Sequence, residues 1–147
     1  MIITKATAKD AGAIAQNNVD LRLETENISI DFDLVLKGVK ALIDNDKQGF
    51  YLIAKEQGTV IGQVMVTHEW SDWRNKDIWW LHRVFVQKSS RYKGVFTRLL
   101  EEIRSQARDN NVYALRLYLH NTNNEVVSIY KKRGIVPAPF SIFSVRV

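Results

Sequence analysis

The segment from Ile78 to Leu100 constrains the fold of this 147-residue chain more than any other stretch. It joins an apolar strand pattern over Ile78–Val86 to a basic turn over Arg91–Gly94, and an amphipathic helix pattern follows as far as about Asn110. A strand that turns quickly into a helix leaves free backbone N–H groups and the positive helix end at one place, which suits a phosphate. The segment therefore predicts an α/β domain with an anion site at the start of this helix.

The rest of the chain carries the patterns of further strands and helices. Alternating or apolar runs predict strands over Ile2–Ala6, Phe50–Ala54, Val60–Val66, Ala114–Leu119 and Phe140–Val147. Capping residues and helical spacing predict helices after Asp10, from Asp31 or Asp33, and over Glu125–Lys132, with a charged connector over Leu21–Ser29. The length fits one hydrophobic core, so we expect a single domain over residues 1–147.

The composition argues against several functional classes. The chain has no cysteine, which leaves no disulfide framework, thiolate metal site or cysteine nucleophile. Its three histidines, His68, His82 and His120, lack metal-ligand spacing, so we expect no metal. Apolar runs are far shorter than the ~20 residues that span a bilayer, and no signal-peptide pattern opens the chain. We therefore expect a cytoplasmic protein that does not bind a membrane.

The net charge of +5 suits either nucleic acid or a phosphorylated cofactor. Cationic side chains crowd around the predicted turn, namely Arg83, Lys88, Arg91, Lys93 and Arg98. The aromatic residues nearby belong to a buried strand pattern and do not form an alternating platform for stacking bases. A phosphorylated cofactor is therefore the favoured ligand, and we expect no nucleic-acid partner.

Two motifs resemble the acetyl-CoA-dependent N-acetyltransferase superfamily, GNAT. The turn reads Arg91-Tyr92-Lys93-Gly94-Val95-Phe96, similar to the family's motif A, Arg/Gln-x-x-Gly-x-Gly/Ala. Downstream, a family pattern Asn-x-x-Ala-x-x-x-Tyr-x-x-x-Gly-Phe is matched in spacing by Asn123, Val126, Tyr130, Gly134 and Ile135. The resemblance covers nearly the whole chain and is strongest over residues 50–135. It implies the GNAT fold, a mixed central sheet of about six to seven strands flanked by four helices.

The resemblance also implies acetyl-CoA as the acetyl donor. Its diphosphate would be wrapped by Arg91, Tyr92, Lys93, Gly94, Val95 and Phe96, with Thr97 in the first helical turn. Its pantetheine arm would pair with a bulged strand end at Val84, Phe85 and Val86, and Asn123 completes the predicted cofactor site. Phe96 departs from the motif, which has Gly or Ala at this position. Its ring must therefore point away from the diphosphate or narrow the entrance to the cofactor site.

The implied reaction is direct attack of a primary amine on the acetyl thioester. Tyr130 matches the family tyrosine that commonly protonates the CoA sulfur, and a phenol stays neutral at pH 7. The backbone N–H near Phe85 would polarise the thioester carbonyl. For the base, His82 is the first candidate, since imidazole titrates in the useful range. Glu69 and ordered water are the alternatives.

The acceptor pocket implied by the resemblance contains carboxylates beside aromatic rings. Its candidate binding residues are Glu24, Glu69 and Trp73, which favour a small cationic amine through charge pairing and cation–π contact. A peptide N-terminus or lysine side chain fits the chemistry equally well. The competing hypotheses are a non-catalytic CoA-binding regulatory module and, last, a basic nucleic-acid binder. A homodimer paired through Phe140–Val147 is a further expectation.

Overall fold

The structure is a computed structural model that describes residues 1–121 and 123–147. In this part of the chain five strands form one sheet in the order β1-β2-β3-β4-β5. The strands are β1 Ile2–Lys5, β2 Gly49–Glu56, β3 Thr59–Ser71, β4 Lys76–Val86 and β5 Ala114–Arg116. The α-helices are α1 Ala11–Glu26, α2 Phe32–Ile43, α3 Val95–Asp109 and α4 Glu125–Lys131, with short 3₁₀ turns at Ala8–Asp10 and Lys88–Ser90.

The sheet is mixed, as predicted. Strands β1 to β4 pair antiparallel, and β5 joins β4 in parallel after the crossover through α3. The β2–β3 hairpin turns at Gln57 and Gly58, whose φ angles are 49° and 79°. Both residues adopt the left-handed conformation that a tight hairpin turn requires. The Gln57-Gly58 turn predicted from the sequence is therefore confirmed.

Two apolar cores lie on opposite faces of the sheet. Helix α3 covers one face and buries the apolar stripe predicted from its spacing, namely Val95, Leu99, Leu100, Ile103 and Ala107. Helices α1 and α2 cover the other face, where Ile14, Ala15 and Val39 pack against Ile53 of β2. The sheet is thus sandwiched between helices, and β4 lies between the two helical layers.

Three sequence predictions about elements were wrong. Phe140–Val147 forms no strand, although its residues alternate, because its backbone makes no ladder with another described segment. The described sheet therefore has five strands where six to seven were predicted. The predicted strand Ala114–Leu119 pairs only as far as Arg116. The predicted connector Leu21–Ser29 is mostly helix, since α1 continues to Glu26 and Asn27 ends it with a φ of 53°.

The described residues include no helix with both the length and the apolar character needed to cross a membrane.

Candidate active site

The turn between β4 and α3 presents an open backbone surface. Gly94 has a φ of 79° and immediately precedes the first residue of α3. A Cβ atom added to Gly94 would meet no other atom within 4 Å, so the space above this glycine is free. Tyr92 also has a left-handed φ of 62°, and its side chain is fully exposed. A ligand can therefore approach the main chain of this turn closely.

The backbone N–H groups from Tyr92 through Thr97 make no hydrogen bond to any other described residue. The first helical hydrogen bond of α3 runs from the Arg98 N–H to the Gly94 oxygen at 3.1 Å. The free donors therefore cluster at the positive end of a 15-residue helix. Successive free N–H groups at a helix start bind phosphate oxygens well, so the turn has the geometry that an anion site requires.

The guanidinium of Arg91 holds this turn through hydrogen bonds to β4 and to α1. Its Nε donates to the Val86 oxygen at 2.9 Å, while Nη1 and Nη2 donate to the Glu24 carboxylate at 2.6 and 2.8 Å. This bidentate pairing lowers the pKa of Glu24 and ties α1 to the turn. The side chain of Arg91 is thus engaged by protein groups, and the free donors of the turn come from its backbone.

Strand β4 carries a bulge where it passes the turn. The pairing register with β3 shifts between Gln63 and Met65, so that Arg83 and Val84 both lie opposite one residue. Arg83 has a φ of 51°, a left-handed conformation that interrupts the strand. On its other side β4 pairs with β5 only over Ile78–Trp80. Beyond Trp80 the two strands separate, which opens a gap beside the bulge.

This gap is part of a cleft of about 1510 Å³. Its walls come from α1, α2, residues 80–84 of β4, residues 115–121 after the start of β5, α4, and residues 135–142. His82, Val84, Asn123 and Tyr130 all line the cleft. Among the described residues, no group of three or more His, Asp or Glu side chains is placed to hold a metal ion.

Tyr130 is a buried titratable side chain of the cleft wall. Its residue is 8% exposed, and its ring meets the Phe96 ring edge-on at 5.5 Å between centroids. Burial raises the pKa of Tyr130 to about 12. The hydroxyl makes no hydrogen bond to another described residue. Tyr130 therefore offers a neutral O–H donor that remains available to a ligand.

His82 lies on the same strand as the bulge, on the face covered by α1 and α2. Its Nε2 lies 2.9 Å from the Thr67 hydroxyl, and its ring stacks with Trp80 and meets Tyr118 edge-on. Burial, followed by the positive charge of Arg83, lowers the pKa of His82. The imidazole is therefore neutral at pH 7 and can accept a proton.

Comparison with known proteins decides the family. A sequence model described as the Acetyltransferase (GNAT) family matches residues 20–135. The chain belongs to this family. An uncharacterized N-acetyltransferase, YhfO of Bacillus subtilis (strain 168), is 31% identical over 134 residues, covering 91% of this chain and 89% of that protein. Acetyl transfer is accordingly the general activity of this GNAT chain.

Solved structures share the whole fold of this acetyltransferase. A possible acetyltransferase from Clostridium difficile 630 superimposes with a TM-score of 0.93 at 33% identity, covering 99% of this chain and 97% of the other. A predicted acetyltransferase with acetyl-CoA from Clostridium acetobutylicum has a TM-score of 0.79 at 17% identity, covering 98% and 95%. The first supports both fold and family, and the second supports the fold alone.

The GNAT turn places Phe96 away from the free N–H groups. Its ring contacts Tyr130, and the guanidinium of Arg133 lies over it at 5.7 Å from the centroid. Arg133 also donates to the Thr97 hydroxyl at 2.7 and 3.0 Å, which joins the end of α4 to the start of α3. Phe96 thus helps to pack the tyrosine, and its ring leaves the backbone above Gly94 uncovered.

The structure does not bring the predicted acceptor residues together. Glu24 pairs with Arg91, and Trp73 lies at the tip of the β3–β4 hairpin, where it is 88% exposed. Glu69 accepts a hydrogen bond from Trp80 Nε1 at 3.2 Å. None of Glu24, Glu69 and Trp73 lines the cleft. For Glu24 the reason is local, since the sequence put it in a connector, whereas it lies in the last turns of α1.

Sequence analysis missed a group of buried amides beside the bulge. Gln63 is completely buried and bonds to Asn17 and Asn18 of α1. The signal was present, since a glutamine interrupts the apolar run Val60-Ile61-Gly62-Gln63-Val64. A polar side chain within a buried strand needs partners, and here they come from a helix far away in sequence.

Proposed function

We propose that this GNAT protein transfers the acetyl group of acetyl-CoA to a primary amine by direct attack. The observation that carries the proposal is that the turn with the free N–H groups of Tyr92–Thr97 is joined to a cleft that contains Tyr130 and His82. Strand β4 carries His82 and leads into the turn, and the Phe96 ring of the turn contacts Tyr130. A phosphate-binding turn alone would suit many ligands. A turn that leads to a neutral proton donor and a neutral base suits acyl transfer to an amine.

The residues present fit acetyl-CoA. The backbone donors of Tyr92–Thr97 would hold the diphosphate, and the exposed ammonium of Lys93 adds positive charge there. Val84 and Phe85 lie beyond Trp80, the last residue of β4 that pairs with β5, so their backbone on that side would meet the amides of the pantetheine arm, and Asn123 lines the same cleft as Val84. When bound, acetyl-CoA supplies the acetyl thioester. A structure of the same fold was determined with acetyl-CoA, which supports the assignment.

The protein must first remove a proton from the acceptor. An amine with a pKa near ~10.4 is almost fully protonated at pH 7, and freeing it costs roughly 4 to 5 kcal/mol. His82 is neutral at pH 7 and lines the cleft, so it can take this proton directly or through a water molecule. Thr67 fixes the ring by contacting Nε2. Glu69 is the weaker candidate because its carboxylate contacts Trp80 outside the cleft wall.

The leaving sulfur must then receive a proton. As the nitrogen–carbon bond forms, the carbon–sulfur bond breaks, its electron pair goes to sulfur, and the nitrogen gives its second proton to water. The Tyr130 hydroxyl is protonated far above pH 7 and donates no hydrogen bond to the described protein, so it is available for this transfer. Water restores the proton to Tyr130 afterwards. The backbone N–H near Phe85 would polarise the carbonyl oxygen.

The acceptor we propose is a small-molecule or peptide amine. Trp80 and Tyr118 present aromatic surface along the cleft, and the Glu69 carboxylate lies against the edge of Trp80. Aromatic faces beside a carboxylate attract an ammonium ion. This favours small cationic amines within the panel of acceptors to be tested.

Calorimetric titration with acetyl-CoA tests the cofactor part of the proposal. Wild-type protein should bind, and Lys93→Gln should weaken binding by about threefold to tenfold because it removes a charge beside the diphosphate. Lys40→Gln removes the same charge from the exposed surface of α2 and is the matched control. Equal affinities for all three proteins would place the ligand elsewhere. Binding without transfer to any amine would favour the regulatory-module hypothesis.

A further inference from the structure

The bulge of β4 is held by a buried network of side-chain amides. The Gln63 Oε1 accepts from Asn17 Nδ2 at 3.0 Å, and Gln63 Nε2 donates to Asn18 Oδ1 at 2.8 Å. Gln63 Nε2 also reaches the backbone oxygen of Arg83 at 3.4 Å. Asn18 Nδ2 in turn donates to the Tyr51 hydroxyl at 3.4 Å. The network therefore links α1, β2 and β3 to the bulged residue of β4.

These amides are buried far more completely than their polarity favours. Gln63 is 0% exposed, Asn17 3% and Asn18 7%. Burying an amide without hydrogen-bond partners is strongly unfavourable, so such groups persist only where their bonds are made. Gln63 and Asn18 each donate and accept within the network, and Asn17 donates to Gln63, so turning any of these amides end for end would break a bond. The network consequently has one favoured arrangement.

The bulge needs such support. Arg83 is a non-glycine residue with a φ of 51°, a conformation that is disfavoured for residues with a Cβ atom. The shifted register also removes Arg83 from the regular ladder with β3. Gln63 lies at that shift and offers a donor to the Arg83 oxygen, so it compensates for the interrupted ladder. Arg83 and Val84 both line the cleft.

We propose that Gln63, oriented by Asn17 and Asn18, is the positioning residue that fixes the bulge of β4 for acetyl-CoA binding. This inference rests on the proposed function, because it assigns the bulge backbone to the pantetheine arm. It adds a role for α1, whose Asn17 and Asn18 hold Gln63 while the neighbouring Leu21 and Thr25 line the cleft. A single set of hydrogen bonds thus holds both the bulge of β4 and the part of α1 that lines the cleft.

Gln63→Met tests the proposal, since it keeps the length of the side chain and removes its hydrogen bonds. We expect the variant to fold and to bind acetyl-CoA about tenfold more weakly, because a displaced backbone loses its aligned contacts. Backbone amide resonances of Val84 and Phe85 should shift in the free variant. Ile103→Val, a buried change in α3, is the control that lowers stability without moving these resonances or the affinity.

Asn17→Ala gives a second variant that removes a single bond to Gln63, should the methionine variant fail to fold. A smaller loss of acetyl-CoA affinity and a shift of the same amide resonances are then expected. Folded variants with wild-type affinity and unmoved Val84 and Phe85 resonances would overturn the positioning role. Wild-type protein that fails to bind acetyl-CoA would instead overturn the proposed function, while the resonance shifts would still test the network.

Discussion

At the scale of single residues, the two candidate proton-transfer groups owe their properties to burial. Burial acts on both in the direction that favours the neutral form. It raises the pKa of the Tyr130 phenol to about 12 and lowers that of the His82 imidazole. A neutral acid and a neutral base therefore face the same cleft at pH 7.

Tyr130→Phe should separate catalysis from binding. We expect kcat to fall about 100-fold because a proton donor to sulfur is lost. The dissociation constant of acetyl-CoA should change by less than about twofold, since phenylalanine preserves the contact with Phe96. Steady-state kinetics and calorimetry measure the two effects. An unchanged kcat would show that Tyr130 takes no part in the reaction. In the wild-type protein, ionisation of Tyr130 should cause no loss of rate below about pH 10.

We expect the rate of the wild-type protein to fall in acid as His82 becomes protonated, and His82→Gln should remove this acidic limb from the pH–rate profile. Because the pKa of His82 is lowered from 6.5, its ring stays able to accept a proton at neutral pH and loses this ability only as the pH falls below 6.5. We expect the variant to be about 10-fold to 100-fold slower at pH 7 and to lack this limb. His68→Gln, on the other face of the sheet, is the matched control. An identical limb in His82→Gln would assign the base to water or another group.

Tyr130 and the turn residues could be named as candidates from the sequence because their spacing is local and can be read along the chain. His82 was also named, but its Thr67 contact and its lowered pKa depend on the neighbouring strand and could not be read. The buried amides were missed for the same reason. Gln63 meets Asn17 across 46 positions of sequence, and periodicity holds no information about such a pair.

At the scale of elements, the Glu24–Arg91 pair connects α1 to the turn between β4 and α3. Both side chains are about one-third exposed, at 34% and 31%, so solvent weakens their attraction. Their bidentate geometry still orders the turn, because each guanidinium nitrogen of Arg91 has a fixed acceptor. The main role of the pair is therefore to hold the turn in a fixed position against α1.

Glu24→Gln should lower the free energy of unfolding by about 0.5 to 1 kcal/mol at pH 7. The sign follows from the lowered pKa of Glu24, whose contribution is present above 4.5 and is lost as the pH falls below it. The difference from wild type should therefore shrink in acid. Urea unfolding at several pH values measures this. Asp20→Asn, which removes an exposed carboxylate that accepts a hydrogen bond from Gln16, is the control. A difference that does not change with pH would contradict the proposed role of the Glu24–Arg91 pair.

Element types were predictable where the apolar pattern was long, as in α3, whose buried stripe was correct residue by residue. The residues at which elements end were harder to predict from the sequence. The connector after α1 was predicted too long because charged residues such as Arg22, Glu24 and Glu26 also suit an exposed helix end. The bulge position was expected only from the family resemblance, since no residue type marks it in the sequence.

At the scale of the whole molecule, the segment Phe140–Val147 keeps an alternating apolar pattern without a strand to pair with. Phe140 and Phe143 are 71% and 93% exposed. Among the described residues β5 is one of the two outer strands of the sheet and pairs with β4 alone. The alternation was read correctly, but a strand also needs an edge to bind, and that depends on tertiary structure.

We expect this segment to pair with a second copy of the chain. Exposed apolar side chains that alternate beside an open sheet edge favour strand addition between molecules. Light scattering should give about twice the mass of one chain, and deletion of residues 140–147 should halve it. Arg146→Gln, which leaves the apolar residues intact, should remain dimeric. A monomeric full-length chain would contradict this expectation.

The most direct test is the release of CoA thiol from acetyl-CoA in the presence of a panel of primary amines. The protein has no cysteine, so a thiol reagent reports CoA alone. We expect release that depends on both the protein and an amine, with an acetylated product in the mass spectrum and a strongly reduced rate in Tyr130→Phe. Folded protein that binds acetyl-CoA but releases no thiol with small cationic amines, amino acids or peptide amines would contradict the assignment as an N-acetyltransferase.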